Sequence, residues 1–283
     1  MTITASNAFV AEFSSDVKHA YQTKGSNLRE TVRVRDNVTG STYRFHKMGK
    51  GLASARIPQS DVTPMNITNS NVTAILEDWN APEYTDIFDI EKMSYDERSE
   101  LAFTVGGAIG RRADQLILDA LDAGANSTQV AENLGGTASG LTVTKIRRAK
   151  RLMDAAGVPM SDRYFAHDAI GLEQLLGSTL TTSGDFNNVR ALVSGEVQTF
   201  LGFKFIVIED RTEGGIVTTS NVTKNFAYHK DAIGLAVGLN MRTEMNYVPE
   251  KTSWLINGLF SAGSIAIDDA GIYEVLTNNT AVV

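Results

Sequence analysis

Two short phrases place a histidine beside an aspartate: "FAHDAIGLEQLL" at 165–176 and "FAYHKDAIGLAVG" at 226–238. His167 adjoins Asp168, and His229 stands two residues before Asp231. An imidazole oriented by a carboxylate is the base of much hydrolytic chemistry, but such a site is defined by geometry, not by adjacency in sequence. Neighbouring side chains on a turn usually point apart. A structural role fits Asp168 well: it ends the strand pattern "RYFA" and can cap the helical pattern "AIGLEQLL" through its carboxylate. The two other histidines are His19 and His46. No His/Asp/Glu spacing matches a metal-ligand set. The chain has no Cys, which excludes disulfides, thiolate metal sites and a Cys nucleophile. "GGAIGRR" (106–112) has the glycines of a dinucleotide loop but lies inside a helical pattern, where the phosphate cradle between strand and helix is missing. GxxxxGK[ST], HExxH and GxSxG are absent. The expectation is therefore no enzyme, with no catalytic, cofactor-binding or metal residue. A soluble α+β hydrolase using His167 or His229 is the alternative of another class.

The elements that would position these residues read as an α+β chain of 283 residues. Residues 1–30 are polar with scattered apolar anchors (Phe9, Val10, Phe13) and read as an arm. Period-2 alternation follows: Val32 and Val34 between Arg33 and Arg35, then Tyr43 and Phe45 between Arg44 and His46. With the tip "MGKGLASARIPQSD" and the return "PMNITNSNVTAILEDW", this predicts a long hairpin excursion over 31–79. An isolated two-stranded hairpin is marginal in water, so this one must lie on another surface. Ser94 with Glu97 offers a capping box for a helix over 94–123. Its apolar stripe runs through Leu101, Val105, Ile109, Leu116, Ile117 and Leu121, and Gly124 supplies the stop. Gly106, Gly107 and Gly110 inside it imply a bend or close approach by another backbone. A second helix over 144–156 points Ile146, Ala149, Leu152 and Met153 inward and leaves Lys145, Arg147, Arg148, Lys150 and Arg151 outside, a solvated face or a contact for an acidic partner or nucleic acid. Short strands and helices then alternate to a β-rich end.

Charge is unevenly spread. Residues 1–56 hold nine Lys/Arg against four Asp/Glu (9 − 4 = +5), and residues 57–97 hold one Lys against nine Asp/Glu (1 − 9 = −8). The whole chain is at −7, a poor balance for tight sequence-specific DNA binding. Complementary surfaces are the natural reading. Arg33, Arg35, Arg44, Lys47, Lys50 and Arg56 form the basic set; Glu77, Asp78, Glu83, Asp86 and Asp89 form the acidic one. Both are candidate subunit contacts. Arg111 and Arg112 on the long helix are candidate inner-face basic residues, and Lys47 and Lys50 are amines at an extremity. No apolar run approaches a membrane span, and the N-terminus lacks a signal-peptide pattern. The six Asn-x-Ser/Thr sequons, such as Asn71-Val-Thr73, read as Asn/Thr-rich β-structure.

The order of elements resembles the major capsid protein of tailed bacteriophages, the Hong Kong 97 fold. Three phrases carry the resemblance: "LTVTKIRRAKRLMDAAGVPMSDRYFAHDAIGLEQLL" (141–176), "GEVQTFLGFKFIVIED" (195–210) and "NFAYHKDAIGLAVG" (225–238). It implies an N-terminal arm at 1–30, an extended loop at 31–79, a peripheral domain at 80–140 with its spine helix at 94–123, an axial domain at 141–239, and a return to the peripheral domain at 240–283. It further implies a coat protein assembling into hexamers and pentamers of an icosahedral head around double-stranded DNA, in the virion, after assembly in the host cytoplasm. A separate scaffolding protein is implied, since the arm leaves no room for a fused one, together with a portal, a possible decoration protein and only weak, non-specific DNA contact. Some relatives cross-link a loop Lys to a neighbour's Asn; Lys47 and Lys50 are the candidate donors, with no acceptor matched. A nanocompartment shell of the encapsulin kind, which shares the fold, is the runner-up.

Overall fold

In a computed structural model, residues 25–62, 64–90, 92, 97–136, 139–177, 199–209, 213–216 and 218–280 are described. The arm anchors Phe9, Val10 and Phe13, together with His19 and the Ser94 cap, lie outside them.

In chain order the elements are β1 (Arg33–Arg35), β2 (Thr42–Met48), β3 (Asn69–Ile75), β4 (Glu77–Asp86), α1 (Ile87–Ile90), α2 (Glu97–Gly124), α3 (Val143–Ala155), β5 (Arg163–Asp168), α4 (Ala169–Gly177), β6 (Thr199–Phe200), β7 (Phe203–Ile208), β8 (Thr218–Thr219), β9 (Val222–His229), β10 (Ile233–Val248), β11 (Ser253–Ala266) and β12 (Ile272–Asn278). The class is α+β, as the composition of elements predicted. A four-stranded sheet runs β1-β10-β11-β4, with β1 parallel to β10 and the other pairs antiparallel. A second sheet runs β12-β9-β5-β7-β6, with β8 paired to β9, and β2–β3 form a separate hairpin.

The 28-residue α2 lies on the four-stranded sheet. Its stripe Ile109, Ala113, Ile117 and Leu121 is buried together with Leu235, Val237, Phe260 and Ala262 of β10 and β11. Small residues let the helix sit close. A Cβ on Gly258 of β11 would come within 2.6 Å of Val105, and one on Gly124 within 2.0 Å of the Ala266 Cβ. The close approach expected at the mid-helix glycines occurs at Gly110, where a Cβ would stand 2.4 Å from the Gly25 carbonyl oxygen; Gly106 faces open space. One turn on, the buried Asp114 carboxylate accepts from the backbone N–H groups of Asn27 (3.1 Å) and Leu28 (3.0 Å) and from the Ser26 hydroxyl. Gly110 and Asp114 thus form a saddle that fixes where the chain preceding residue 29 crosses α2.

The excursion is shorter than the sequence pattern implied. Only 42–75 pair as a hairpin, in the register Thr42↔Ile75 to Met48↔Asn69. Arg33–Arg35 instead pair with β10, and Glu77–Asp86 with β11. Alternation reveals a strand and its inner face but not its partner; here the large sheet buries Val32 and Thr85 better than a free hairpin could. One face of the hairpin rests on the sheet: Phe45 and Ala74 are buried with Ala236 and Ile267. The expected division at 239 falls inside β10, and β12 joins β9 in the second sheet, so the last segment contributes to both sheets.

Candidate assembly surfaces

The histidine phrases are paired strands. Phe165 stands opposite Ala227 and Ala166 opposite Phe226, so β5 and β9 run antiparallel through the repeated words. His229 pairs with Arg163, four residues from His167, which places the two imidazoles roughly 13 Å apart at ~3.3 Å per residue. His167 is fully buried beside Phe165 and Phe205, and its Nδ1 lies 2.8 Å from the Asp168 carbonyl oxygen. A carbonyl only accepts, so Nδ1 carries the proton and Nε2 is left buried without a partner. Burial lowers the His167 pKa. The Asp168 carboxylate does not face this ring: Oδ1 accepts from the Gly171 N–H (2.8 Å), capping α4 as predicted. His229 Nδ1 accepts from the Asp231 N–H (3.2 Å) and caps a 3-10 turn at Lys230–Ala232. The geometry is that of two caps. Among the described residues no three His, Asp or Glu side chains stand close enough to share a metal ion, and no helix is long and apolar enough to cross a membrane.

The charged residues lie elsewhere than in one cluster. Arg33 and Arg35 are exposed on β1, one edge of the four-stranded sheet. Glu77, Asp78 and Glu83 are exposed on β4, the opposite edge. Asp86 is half-buried and its Oδ1 accepts from the Phe88 N–H (2.8 Å); Asp89 pairs with Lys92 at 3.1 Å. Arg44 and Arg56 are exposed on the hairpin and its loop. Lys47 and Lys50 fold back onto their own chain: Lys47 Nζ meets Asp268 Oδ1 at 2.8 Å, and Lys50 Nζ donates to the Ala156 carbonyl oxygen at 2.9 Å. Arg111 and Arg112 are half-buried on α2. The Arg112 guanidinium lies 3.5 Å over the Trp79 ring and reaches Glu213 at 3.8 Å, so it is held within its own subunit.

Two features escaped sequence reasoning. The basic face of α3 excludes Lys145, which is fully buried; its Nζ donates to the carbonyl oxygens of Ser139 (2.6 Å) and Leu276 (2.8 Å), tying α3 to β12. Burial brings its pKa down to about 8, against a smaller opposing pull from Glu132. Lys145 precedes Ala149 by one turn and so shares the inward side; its polar type hid this. Second, the hairpin and its loop expose a run of apolar side chains, with Met48 at 73%, Leu52 at 87% and Val62 at 91%. Such exposure makes the excursion a candidate contact surface.

The described surfaces are opposite charges on opposite edges and an apolar excursion, with one histidine spent on a cap and the other buried. The comparisons give the chain a family. A model of the phage capsid protein family matches residues 5–278, and the chain belongs to that family. The solved capsid of cyanophage P-SCSP1u is similar over 97% of this chain and 94% of that one, at 18% identity and a TM-score of 0.76. The Helicobacter pylori bacteriophage KHP30 capsid covers 98% of each chain at 12% identity and a TM-score of 0.76. A Mycobacterium phage Che8 structure covers 98% of this chain and 99% of that one at 16% identity and a TM-score of 0.71. No curated protein sequence matches. The fold expected from the order of elements is thus the fold observed, and the protein is a phage capsid protein; neither the nanocompartment nor the hydrolase reading gains support.

Proposed function

We propose that this chain is the coat subunit of an icosahedral phage head enclosing double-stranded DNA, and that copies join side by side through the two charged edges of the four-stranded sheet. One observation carries the reading: Arg33 and Arg35 occupy one edge strand while Glu77, Asp78 and Glu83 occupy the other. With two strands between them the sets cannot meet within one chain. Distinct complementary surfaces make a head-to-tail contact, which closes into rings when the rotation allows. Hexamers and pentamers are such rings. Arg44 and Arg56 on the hairpin, with the exposed Met48, Leu52 and Val62, reach a neighbour and remove apolar area from water there, while Lys47 and Lys50 begin on their own subunit. The segments 1–30, 31–79, 80–140, 141–239 and 240–283 serve as arm, extended loop, peripheral domain, axial domain and return, with β4 and β10 crossing those limits. A separate scaffolding protein and a portal complete the particle, which is assembled in the host cytoplasm. The DNA is held by weak, non-specific contact.

Charge reversal tests the edges. Arg33→Glu/Arg35→Glu and, separately, Glu77→Arg/Glu83→Arg should each abolish shells in negative-stain micrographs while circular dichroism stays native. Combining all four changes in one chain should restore assembly. Normal shells from either one-sided variant would sink the edge contact.

A further inference from the structure

The exposed face of α3 is not used by the side-by-side contact. Residues Val143, Arg147, Lys150, Arg151 and Asp154 recur at helical spacing and line one face. Across from them Phe200 and Leu201, at the turn between β6 and β7, form an apolar wall, and the two walls enclose a groove of about 530 Å³. Gly202 holds a positive φ of +86° in that turn, and the Lys150 Nζ lies 3.6 Å from where its Cβ would be, so the ammonium reaches across the groove. The charge of the groove is one-sided. Asp154, the only carboxylate among the described lining residues, is spent on Arg163 at 2.6 Å. Arg147, Lys150 and Arg151 have no carboxylate partner among the described residues. Three cations stand free in a chain whose net charge is −7.

We propose that this groove docks an acidic segment of another protein, one whose carboxylates flank an aliphatic or aromatic side chain. The carboxylates would meet the guanidinium groups of Arg147 and Arg151, one turn apart, in the charge-assisted geometry that Arg favours. The apolar side chain would fill the space against Val143, Phe200 and Leu201. That wall decides between classes of macromolecule: a DNA duplex turns its phosphates outward and has no apolar group to place against it. The inference goes beyond the coat-subunit reading, because its partner is not a copy of this chain.

Fluorescence anisotropy of a labelled peptide rich in Glu and Leu, mixed with the purified full chain, tests the proposal. Binding is expected at moderate ionic strength. Arg147→Glu/Arg151→Glu should weaken it by about 10-fold or more, as for charge pairs at a contact. Phe200→Ala should weaken it too, at an unchanged melting temperature, and a peptide with Ser in place of Leu should bind poorly. Absence of binding, equal binding of the Ser peptide, or tighter binding of a short DNA duplex overturns the proposal. So does loss of self-assembly in Arg147→Glu/Arg151→Glu, which would assign the groove to a second copy. The peptide assay needs no shell, so its outcome is separable from that of the edge reversals.

Discussion

Lys145 is the residue whose type and position conflict most. Its ammonium is buried, yet two carbonyl oxygens hold it, which limits the desolvation cost. Its pKa falls from 10.5 to about 8 on folding. Between those values the unfolded chain keeps a proton that the folded chain has lost, so stability rises with pH across that window. Below about pH 8 both states are protonated and the burial cost is carried in full. Chemical denaturation at stepped pH should show the native chain gaining on Lys145→Met between about pH 8 and 10.5, by at most roughly 3 kcal/mol at about 1.4 kcal/mol per pKa unit. Parallel profiles for the two chains would contradict the assignment. The sequence offered the inward side of α3 through Ile146, Ala149 and Met153, but a lysine on it reads as solvated unless its carbonyl partners are known. Those come from residues 139 and 276, far apart in the chain. Asp168 was readable because its role is local: strand end, carboxylate, helix start.

At the level of elements, the spine helix was legible nearly to the residue, 94–123 against Glu97–Gly124, because its periodic stripe and stop lie within one segment. The hairpin was legible as strands and misread as pairing. Nothing in "TVRVR" tells that β1 lies parallel to a strand two hundred residues later. Glycine marks the join. Gly263 of β11 lies under the hairpin's end, where a Cβ would stand 1.8 Å from the Ile75 carbonyl oxygen. That atom is backbone and cannot swing aside. Gly263→Ala should therefore cost about 1–3 kcal/mol or more through overpacking, and lift the base of β2–β3 from the sheet. Faster proteolytic cleavage within 49–68 together with a lower melting temperature would show this; an unchanged cleavage rate would refute it.

For the whole molecule, what the sequence could not supply was the arrangement of its charge. A count of +5 followed by −8 along the chain says nothing about distance in space. The order β1-β10-β11-β4 gives part of that charge a direction: Arg33 and Arg35 at one rim, Glu77, Asp78 and Glu83 at the other, with α2 lying on the sheet between them. The four-stranded sheet thus carries opposite charges on its two edge strands. On the proposed edge contact, two copies approaching edge to edge would feel a torque before they touch, and the head-to-tail orientation would be selected during diffusion. Salt acts on this stage more than on the finished contact, since the field between exposed charges fades beyond about 10 Å at 0.1 M. Light scattering should show the onset of assembly slowing steeply as salt rises, while shells already formed persist in the same buffer. Onset times that ignore salt would mean that the edge charges play no part. On that proposal the two rims act as a compass, setting how a subunit faces before any side chain has found its place.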